Sequence, residues 1–317
     1  MKKALVTGAA GYLGAHVCKA LKKDGWEVVG LGHKRHTLNP YIDRMIYGDV
    51  RDHNFMLDVM KWQTCDVVVH LAARIESGIS FKEPTEFYSV NTGGACNVLN
   101  AMWNNGIKNI VFSSTAAVYE AKLEPIKETD KITNNSPYGY SKLCAERAIR
   151  ASGLNYIIFR FFNLTGADPD GEMGEAHEPE THLIPRMIQN LDNFELNGND
   201  YKTPDGTCIR DYVHVCDVAD MHLQMAEKML GQKVTPAHNM NLGNGTGYSI
   251  KEILNLAGIT IGQKIPYTVG PKRKGDPDIL VADTTVAQEL YDFRPRHGIM
   301  EILKTAYEWH LKNDKSK

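Results

Sequence analysis

The 317-residue chain has no apolar run near the length of about 20 residues that crosses a bilayer. It lacks a C-x-x-C pair, and it lacks an excess of charge: 36 Lys and Arg stand against 38 Asp and Glu. The balance gives no electrostatic reason to bind nucleic acid or an anionic membrane. Met1-Lys2-Lys3 opens like the basic end of a signal peptide, but Gly8, Gly11 and Gly14 break the apolar stretch that would have to follow. The cysteines at 18, 65, 96, 144, 208 and 216 lie inside apolar or helical segments. They read as reduced thiols of a cytoplasmic enzyme, not as a disulfide framework. Metal spacing is missing too, since His177 and His182 have no zinc-type partners at H-x-x-x-H spacing. Asp168-Pro169-Asp170-Gly171-Glu172 begins like a calcium loop, but Met173 stands where glycine is needed and Pro179 closes it. No metal is expected.

What is present is an alternation of strands and helices. Ala4–Thr7, Glu27–Leu31 and Arg44–Tyr47 read as short strands. Asp66–His70, Asn109–Ser113 and Tyr156–Arg160 are continuous apolar runs, as in strands buried on both faces. Helical patterns at Tyr12–Lys23 and around 85–105 and 138–151 supply right-handed crossovers. The expected fold is α/β, a doubly wound parallel Rossmann sheet. From residue 164 the chain turns rich in Gly, Pro, Asp and Asn, with one amphipathic helix near His182–Leu191. A strand at Ile209–Val213, a helix at Asp217–Met229 and a strand at His238–Leu242 are expected to return to the main sheet. The tail from Tyr248 reads as short helices around a small strand. The organisation expected is a dinucleotide-binding domain over 1–163, returning at about 208–243, and a smaller interleaved α/β substrate domain formed by 164–207 and 244–317.

Val6-Thr7-Gly8-Ala9-Ala10-Gly11-Tyr12-Leu13-Gly14 follows the first strand and opens the first helix. Its G-x-x-G-x-x-G spacing lets backbone approach a pyrophosphate at a helix N-terminus. Plain tight turns also carry such glycines, but the place at the first strand–helix junction favours a cofactor held by Gly8, Gly11, Tyr12, Leu13 and Gly14. An acid ending the second strand would grip the ribose 2'-hydroxyl of NAD. Gly32-His33-Lys34-Arg35 holds none, so His33, Lys34 and Arg35 favour NADP, with a solvated basic loop as the plain alternative. Asp49 and Val50 end the third strand, where an acid can meet the adenine edge. Leu71, Ala72 and Ala73 end the fourth, where small side chains let a dinucleotide lie against the backbone.

Ser113-Ser114-Thr115 closes the fifth strand ahead of Pro137-Tyr138-Gly139-Tyr140-Ser141-Lys142. On a helix, Tyr138 and Lys142 share a face while Tyr140 points elsewhere. A free phenol, with a pKa of about 10, is no base at neutral pH. A neighbouring ammonium and the charge of an oxidised nicotinamide favour its phenolate. Thr115, Tyr138 and Lys142 are the catalytic candidates.

These motifs carry a resemblance. The chain resembles the extended short-chain dehydrogenase/reductases, and among them the UDP-glucose 4-epimerases. The match runs through V-T-G-A-A-G-Y-L-G-A-H, G-D-V-R-D, H-L-A-A, F-S-S-T-A-A-V-Y, S-P-Y-G-Y-S-K and R-F-F-N-L-T-G-A. It continues through E-T-H-L-I-P, D-G-T-C-I-R-D-Y-V-H-V-C-D-V-A-D, N-L-G-N-G-T-G-Y-S-I-K-E-I and K-R-K-G-D-P, past the dehydrogenase core. The resemblance implies a nucleotide-sugar 4-epimerase acting on a UDP-hexose, with tightly bound NAD(P) and a 4-keto intermediate. Thr115 would bind the 4-hydroxyl and Tyr138 would take its proton. Asn91, Ser113 and Phe161 would join the cofactor residues. Asn163, His182, Leu183, Arg210, Arg273 and Asp276 would line the nucleotide-sugar pocket, the arginines suiting a diphosphate. The helices near 90–104 and 138–151 would form a homodimer interface.

Three positions depart from the resemblance. Gly32 and its basic followers replace the Asp-Asn that these epimerases usually carry, so the family pattern favours NAD while the local chemistry favours NADP. Ile75 stands where some members place a lysine, and Glu120 where glycine is usual. An NADP-linked nucleotide-sugar 4-ketoreductase is the alternative function. A dehydratase is set aside because Ala116-Ala117, not an Asp-Glu pair, follow Thr115. Leu280, at the gatekeeper position, leaves the sugar open between plain hexoses, N-acetylated hexoses and pentoses.

Overall fold

The computed structural model describes residues 1–33, 39–133, 136–177, 179–231, 237–273 and 275–313. The strands are β1 (Lys3–Thr7), β2 (Glu27–Gly32), β3 (Arg44–Tyr47), β4 (Val67–His70), β5 (Asn109–Thr115) and β6 (Asn155–Phe161). They continue with β7 (Asn163–Thr165), β8 (Phe194–Asn197), β9 (Ile209–His214), β10 (Ala237–Leu242), β11 (Gly247–Ser249), β12 (Tyr267–Gly270) and β13 (Ile279–Leu280). The chain forms two compact units, one of Met1–Val118, Ile132–Arg160 and Ala219–Met240, the other of Tyr119–Lys131, Phe161–Val218 and Asn241–Lys317.

The main sheet has seven strands in the order β10-β6-β5-β4-β1-β2-β3. It is the doubly wound Rossmann arrangement expected from the apolar runs. β1 pairs in parallel with β2 and β4, and β4 with β5, so strand order reverses between β1 and β4. Open α/β sheets bind ligands at the carboxyl ends of strands at such a reversal. Leu5, Val29 and Val68 in the strands and Met56, Val98 and Ile149 on the helices are at most 2% exposed, which is why these strands read as unbroken apolar runs. The pattern near 85–105 resolves into a short helix Pro84–Phe87, a π-helical turn Tyr88–Gly93 and a helix Gly94–Asn104.

The second unit holds a sheet ordered β11-β9-β13, with β7 also on β9, and a ribbon of β12 with β8. Of the elements expected back in the main sheet, β10 joins it and Ile209–Val213 does not. Asp211, at the centre of β9, is fully buried and accepts from the backbone N–H groups of Asn244 (2.7 Å), Gly245 (2.9 Å) and Ala282 (3.2 Å). A buried carboxylate must have such partners, and they lie beside β11 and β13. The amphipathic helix is Leu183–Gln189, packing Ile184 and Met187 against Phe194, Ile253 and Ile302.

A buried ion pair fastens the helix Pro137–Ala151 to the main sheet. Both side chains of Glu146 and Arg160 are 0% exposed, with Arg160 donating at 2.9 Å from Nε and 2.6 Å from Nη2. Ser114 and Arg150 also donate to this carboxylate. Burial would raise the Glu146 pKa, but Arg160, then Ser114 and Arg150, outweigh it and hold the group below the ordinary carboxylate value. The stabilisation is therefore present above pH of about 4.3, the unfolded value, and is lost as pH falls through the lower folded one. Arg160→Met should destabilise the chain by about 3–5 kcal/mol in urea unfolding near neutral pH, because it strands a buried charge.

Candidate functional site

The glycine turn lies at the strand reversal. Gly8 has φ +72°, a conformation that favours glycine, and a Cβ there would sit 2.9 Å from the backbone nitrogen of Ala72. A Cβ on Gly14 would collide with the carbonyl of Gly8. The three glycines thus form a cradle that side chains would fill. Gly11 caps the helix Tyr12–Lys23 without any side-chain cap bond, so its first N–H groups have no capping side chain. The Thr7 hydroxyl accepts from the N–H groups of Leu71 and Ala72, both at 3.2 Å, and lies 2.7 Å from Nδ1 of His70. Its one proton therefore goes to His70, which burial and the nearby Lys142 keep neutral, its pKa pushed down to about 3. Leu71, Ala72 and Ala73 are half-buried at this rim, beside the half-buried Tyr12 and the buried Leu13.

Other cofactor candidates carry structural bonds of their own. Asp49 accepts from the Arg51 guanidinium at 2.7–3.1 Å. Val50 meets Gly94, where a Cβ would lie 2.6 Å from its methyl group. The Asn91 amide donates to the Arg74 carbonyl and to Ser141, and accepts from Arg74 N–H. The Ser113 hydroxyl pairs with His222 at 2.9 Å, both groups buried. His33 is exposed after β2; Lys34 and Arg35 lie outside the described residues. Ile75 is 37% exposed and supplies no cation.

Thr115 and Tyr138 meet because one residue between two tyrosines has no side chain. Ser136 caps the helix by accepting from Gly139 N–H at 3.1 Å, and Pro137 fits the first helical position. A Cβ on Gly139 would lie 2.5 Å from the Ala117 carbonyl, so glycine lets the helix start close against the end of β5. Thr115 accepts from Ala117 N–H at 3.1 Å, and its hydroxyl lies close enough to the Tyr138 phenol to lower that group's pKa. Tyr138 is 8% exposed, with Phe87 edge-on at 6.3 Å. Lys142, one turn on, is 3% exposed, its ammonium 4.5 Å from the centre of the Phe112 ring.

Electrostatics at this trio differ from the simple picture of an ammonium lowering a phenol. Burial raises the Tyr138 pKa, the Thr115 hydroxyl draws it back, and Glu76 adds to the rise. Burial also drives Lys142 down to about 7, against the pull of Glu146. Desolvation disfavours both charged forms, so the protein alone favours a neutral pair.

In the second unit, Arg210 is 7% exposed and donates to Asp276 (2.6 Å), the Pro277 carbonyl (2.7 Å) and the Ile209 carbonyl (2.8 Å). Asp276 also accepts from the Tyr201 hydroxyl at 3.0 Å. Arg273 is exposed and donates to the Thr181 carbonyl at 3.2 Å. With the Asn197 amide oxygen facing the guanidiniums, it accepts from Arg273 at 3.2 and 3.3 Å and from Arg186 at 3.1 Å. Burial and then the charge of Arg273 lower the Arg186 pKa. Two guanidiniums sharing one neutral acceptor form a ready place for an anion, and no motif in the sequence marks Arg186 for it. Asn163 donates from its amide to the Asp211 carbonyl at 3.1 Å, while Leu183 and Phe161 are half-buried. His182 caps the helix Leu183–Gln189 and contacts Glu175. Glu120, without a role in the sequence, pairs with Lys131 at 2.6 Å and anchors its loop.

The model of the NAD dependent epimerase/dehydratase family matches residues 4–243. The chain belongs to this family. It is 42% identical to a UDP-glucose 4-epimerase of Lacticaseibacillus casei, over 96% of each chain. It is also similar to the UDP-glucose 4-epimerase of Stenotrophomonas maltophila solved with NAD and formylated UDP-arabinopyranose (TM-score 0.93, 30% identity, all of both chains). The Bifidobacterium longum UDP-glucose 4-epimerase, solved with NAD+ and UDP, superposes with a TM-score of 0.92 at 29% identity, again over all of both chains. This membership makes the chain an enzyme of the extended short-chain dehydrogenase/reductase type.

For this family member the electrostatics give a signed test. A lysine whose folded pKa is about 7 resists the proton that the unfolded chain binds up to about pH 10.4. The resulting penalty is full below pH 7 and fades as pH rises toward 10. Lys142→Met should therefore stabilise the ligand-free protein at pH 6, by an amount on the order of a few kcal/mol. The gain should shrink at pH 9.5, as read by denaturant unfolding at both values.

Proposed function

We propose that this chain is a nucleotide-sugar 4-epimerase, of the UDP-glucose 4-epimerase kind, which inverts C4 through a 4-keto sugar. The observation that carries the reading is the buried Thr115 at the end of β5 beside Tyr138 of a Y-x-x-x-K helix, in a chain alike over nearly its whole length to epimerases. Thr115 binds the sugar 4-hydroxyl. The Tyr138 oxygen takes the O4 proton as C4 loses hydride, and gives it back when the turned sugar regains hydride on its other face. Atoms and electrons balance over the cycle.

The chemistry a bound nicotinamide supplies is temporary storage of that hydride and a positive charge beside the phenol. The glycine cradle at Gly8, Gly11 and Gly14 fits such a dinucleotide. Lys142 holds the nicotinamide ribose, and when the added charge favours phenolate the ammonium and phenolate stabilise each other. NAD is the better-supported form, because the Stenotrophomonas and Bifidobacterium enzymes are solved with it. Asp49, with Val50, serves the adenine side. Arg210 and Arg273, aided by Arg186, hold the diphosphate of a UDP-hexose, with Asn163, His182, Leu183 and Asp276 around the nucleotide sugar. The similar enzymes are epimerases, which does not favour the reductase.

A homodimer is proposed through the helices Gly94–Asn104 and Pro137–Ala151, with Trp103, 67% exposed, on the first. The cytoplasm is the proposed location, in keeping with six free thiols. Among the described residues, no helix is long and apolar enough to cross a membrane.

Two measurements test the function. Tyr138→Phe should cut epimerisation of UDP-glucose by about a hundredfold to ten-thousandfold with the dinucleotide still bound; near-normal turnover would remove the phenol from its role. Mass spectrometry of denatured protein should find NAD retained without added cofactor. Finding the 2'-phosphorylated form, together with stoichiometric loss of NADPH during turnover, would favour the reductase.

A further inference from the structure

Folding of the second unit brings four side chains together that the sequence spacing keeps apart. Glu175, His177, Glu180 and His182 each offer a ligand atom, and these atoms all lie within 4.8 Å of one another. His177 Nδ1 is 3.3 Å from Glu175 Oε1 and 3.8 Å from Glu180 Oε2. His182 Nδ1 touches Glu175 and lies 4.0 Å from Glu180 Oε1. Ligands held about 2.0–2.2 Å from a tetrahedral zinc are separated by roughly 3.4 Å; the 3.3 and 3.8 Å spacings around His177 are of this size, and His182 and Glu175 must part slightly to admit the ion.

A second observation points to a missing partner. Glu175 has a side chain only 3% exposed, and its Oε2 has no hydrogen-bond donor. Glu180 Oε2 and His177 Nδ1 are likewise buried without a bond, all three among the four converging residues. Buried polar atoms are normally satisfied, and an ion accounts for such a group of exceptions. Protonated imidazoles would face these carboxylates as ion pairs at 3.3–4.0 Å, so zinc binds by displacing their protons, and the three atoms without a hydrogen bond are open to it. The imidazoles themselves are 31% and 44% exposed, which gives an ion a way in.

We propose that Glu175, His177, Glu180 and His182 form a zinc site in the second unit. Two neutral imidazoles and two carboxylates, with no thiolate, suit a divalent first-row ion of this borderline kind. The absence of H-x-x-x-H spacing does not count against it, because the ligands come from a bent segment and not from one helix face. The site is a structural brace. It ties the segment 175–182 to the start of the helix Leu183–Gln189, next to Thr181, whose carbonyl receives Arg273. The sugar chemistry needs no metal.

The test uses untagged full-length protein, stripped with EDTA and titrated with zinc sulfate, with bound metal counted by mass spectrometry after gel filtration. One zinc per chain, bound with micromolar or tighter affinity, is expected. His177→Ala/Glu180→Gln should weaken binding on the order of tenfold or more with an unchanged circular dichroism spectrum. No zinc retained by the wild type, or equal affinity in the variant, overturns the site. If the double variant fails to fold, Glu180→Gln alone serves, and cobalt added to the wild type gives a reading that needs no variant. Visible bands of a nitrogen–oxygen tetrahedral site support the proposal. Thiolate bands only, or no visible bands, refute it.

Discussion

The close seating of one helix start against the end of β5 is the constraint on which the chemistry rests. At Gly139 the helix backbone comes to within contact of the Ala117 carbonyl, and no residue with a Cβ fits there without displacing it. That approach puts the Tyr138 phenol within hydrogen-bonding reach of Thr115, and it shuts both away from water. The same dryness disfavours a charged phenol and a charged lysine. The packed site therefore favours the neutral forms, and in the proposed reaction a positive charge bound beside them would shift the phenol toward phenolate.

A seat that tight needs an anchor. Glu146 lies one turn beyond Lys142 on the same helix and pairs with Arg160 of β6, while Ser114, the residue before Thr115, donates to the same carboxylate. The carboxylate thus has two consequences. It fixes the helix to the strand that carries the threonine, and it keeps a negative charge close enough to Lys142 to offset part of that group's desolvation. Replacing the pair by apolar residues would favour stability over this second function.

The second unit solves a different problem. Arg210 is satisfied by Asp276 and two backbone carbonyls, so it is a positioned charge with little freedom. Arg273 and Arg186 meet around one neutral amide oxygen. The proposed diphosphate would gain most from the second arrangement, where it would supply an anion to two guanidiniums that share a neutral acceptor.

The sequence alone determined the cofactor turn, the Y-x-x-x-K pair and the sheet class, because each depends on local rules: glycine where backbone must come close, helical spacing four apart, apolar runs in strands buried on both faces. It also carried the family, since its motifs run on into the second unit. Tertiary structure decided what depends on long-range pairing. β9 left the main sheet because Asp211 finds its donors beside β11 and β13. Asn91 and Ser113 sit where they were expected in the chain, yet their polar groups are taken up by Arg74, Ser141 and His222. Arg186 gained meaning only when folding set it beside Arg273, and Glu175 and Glu180 only when they met two histidines. The pKa values of Tyr138 and Lys142 were likewise out of reach of spacing, because desolvation is a property of the packed surroundings and not of the residues that share a helix face.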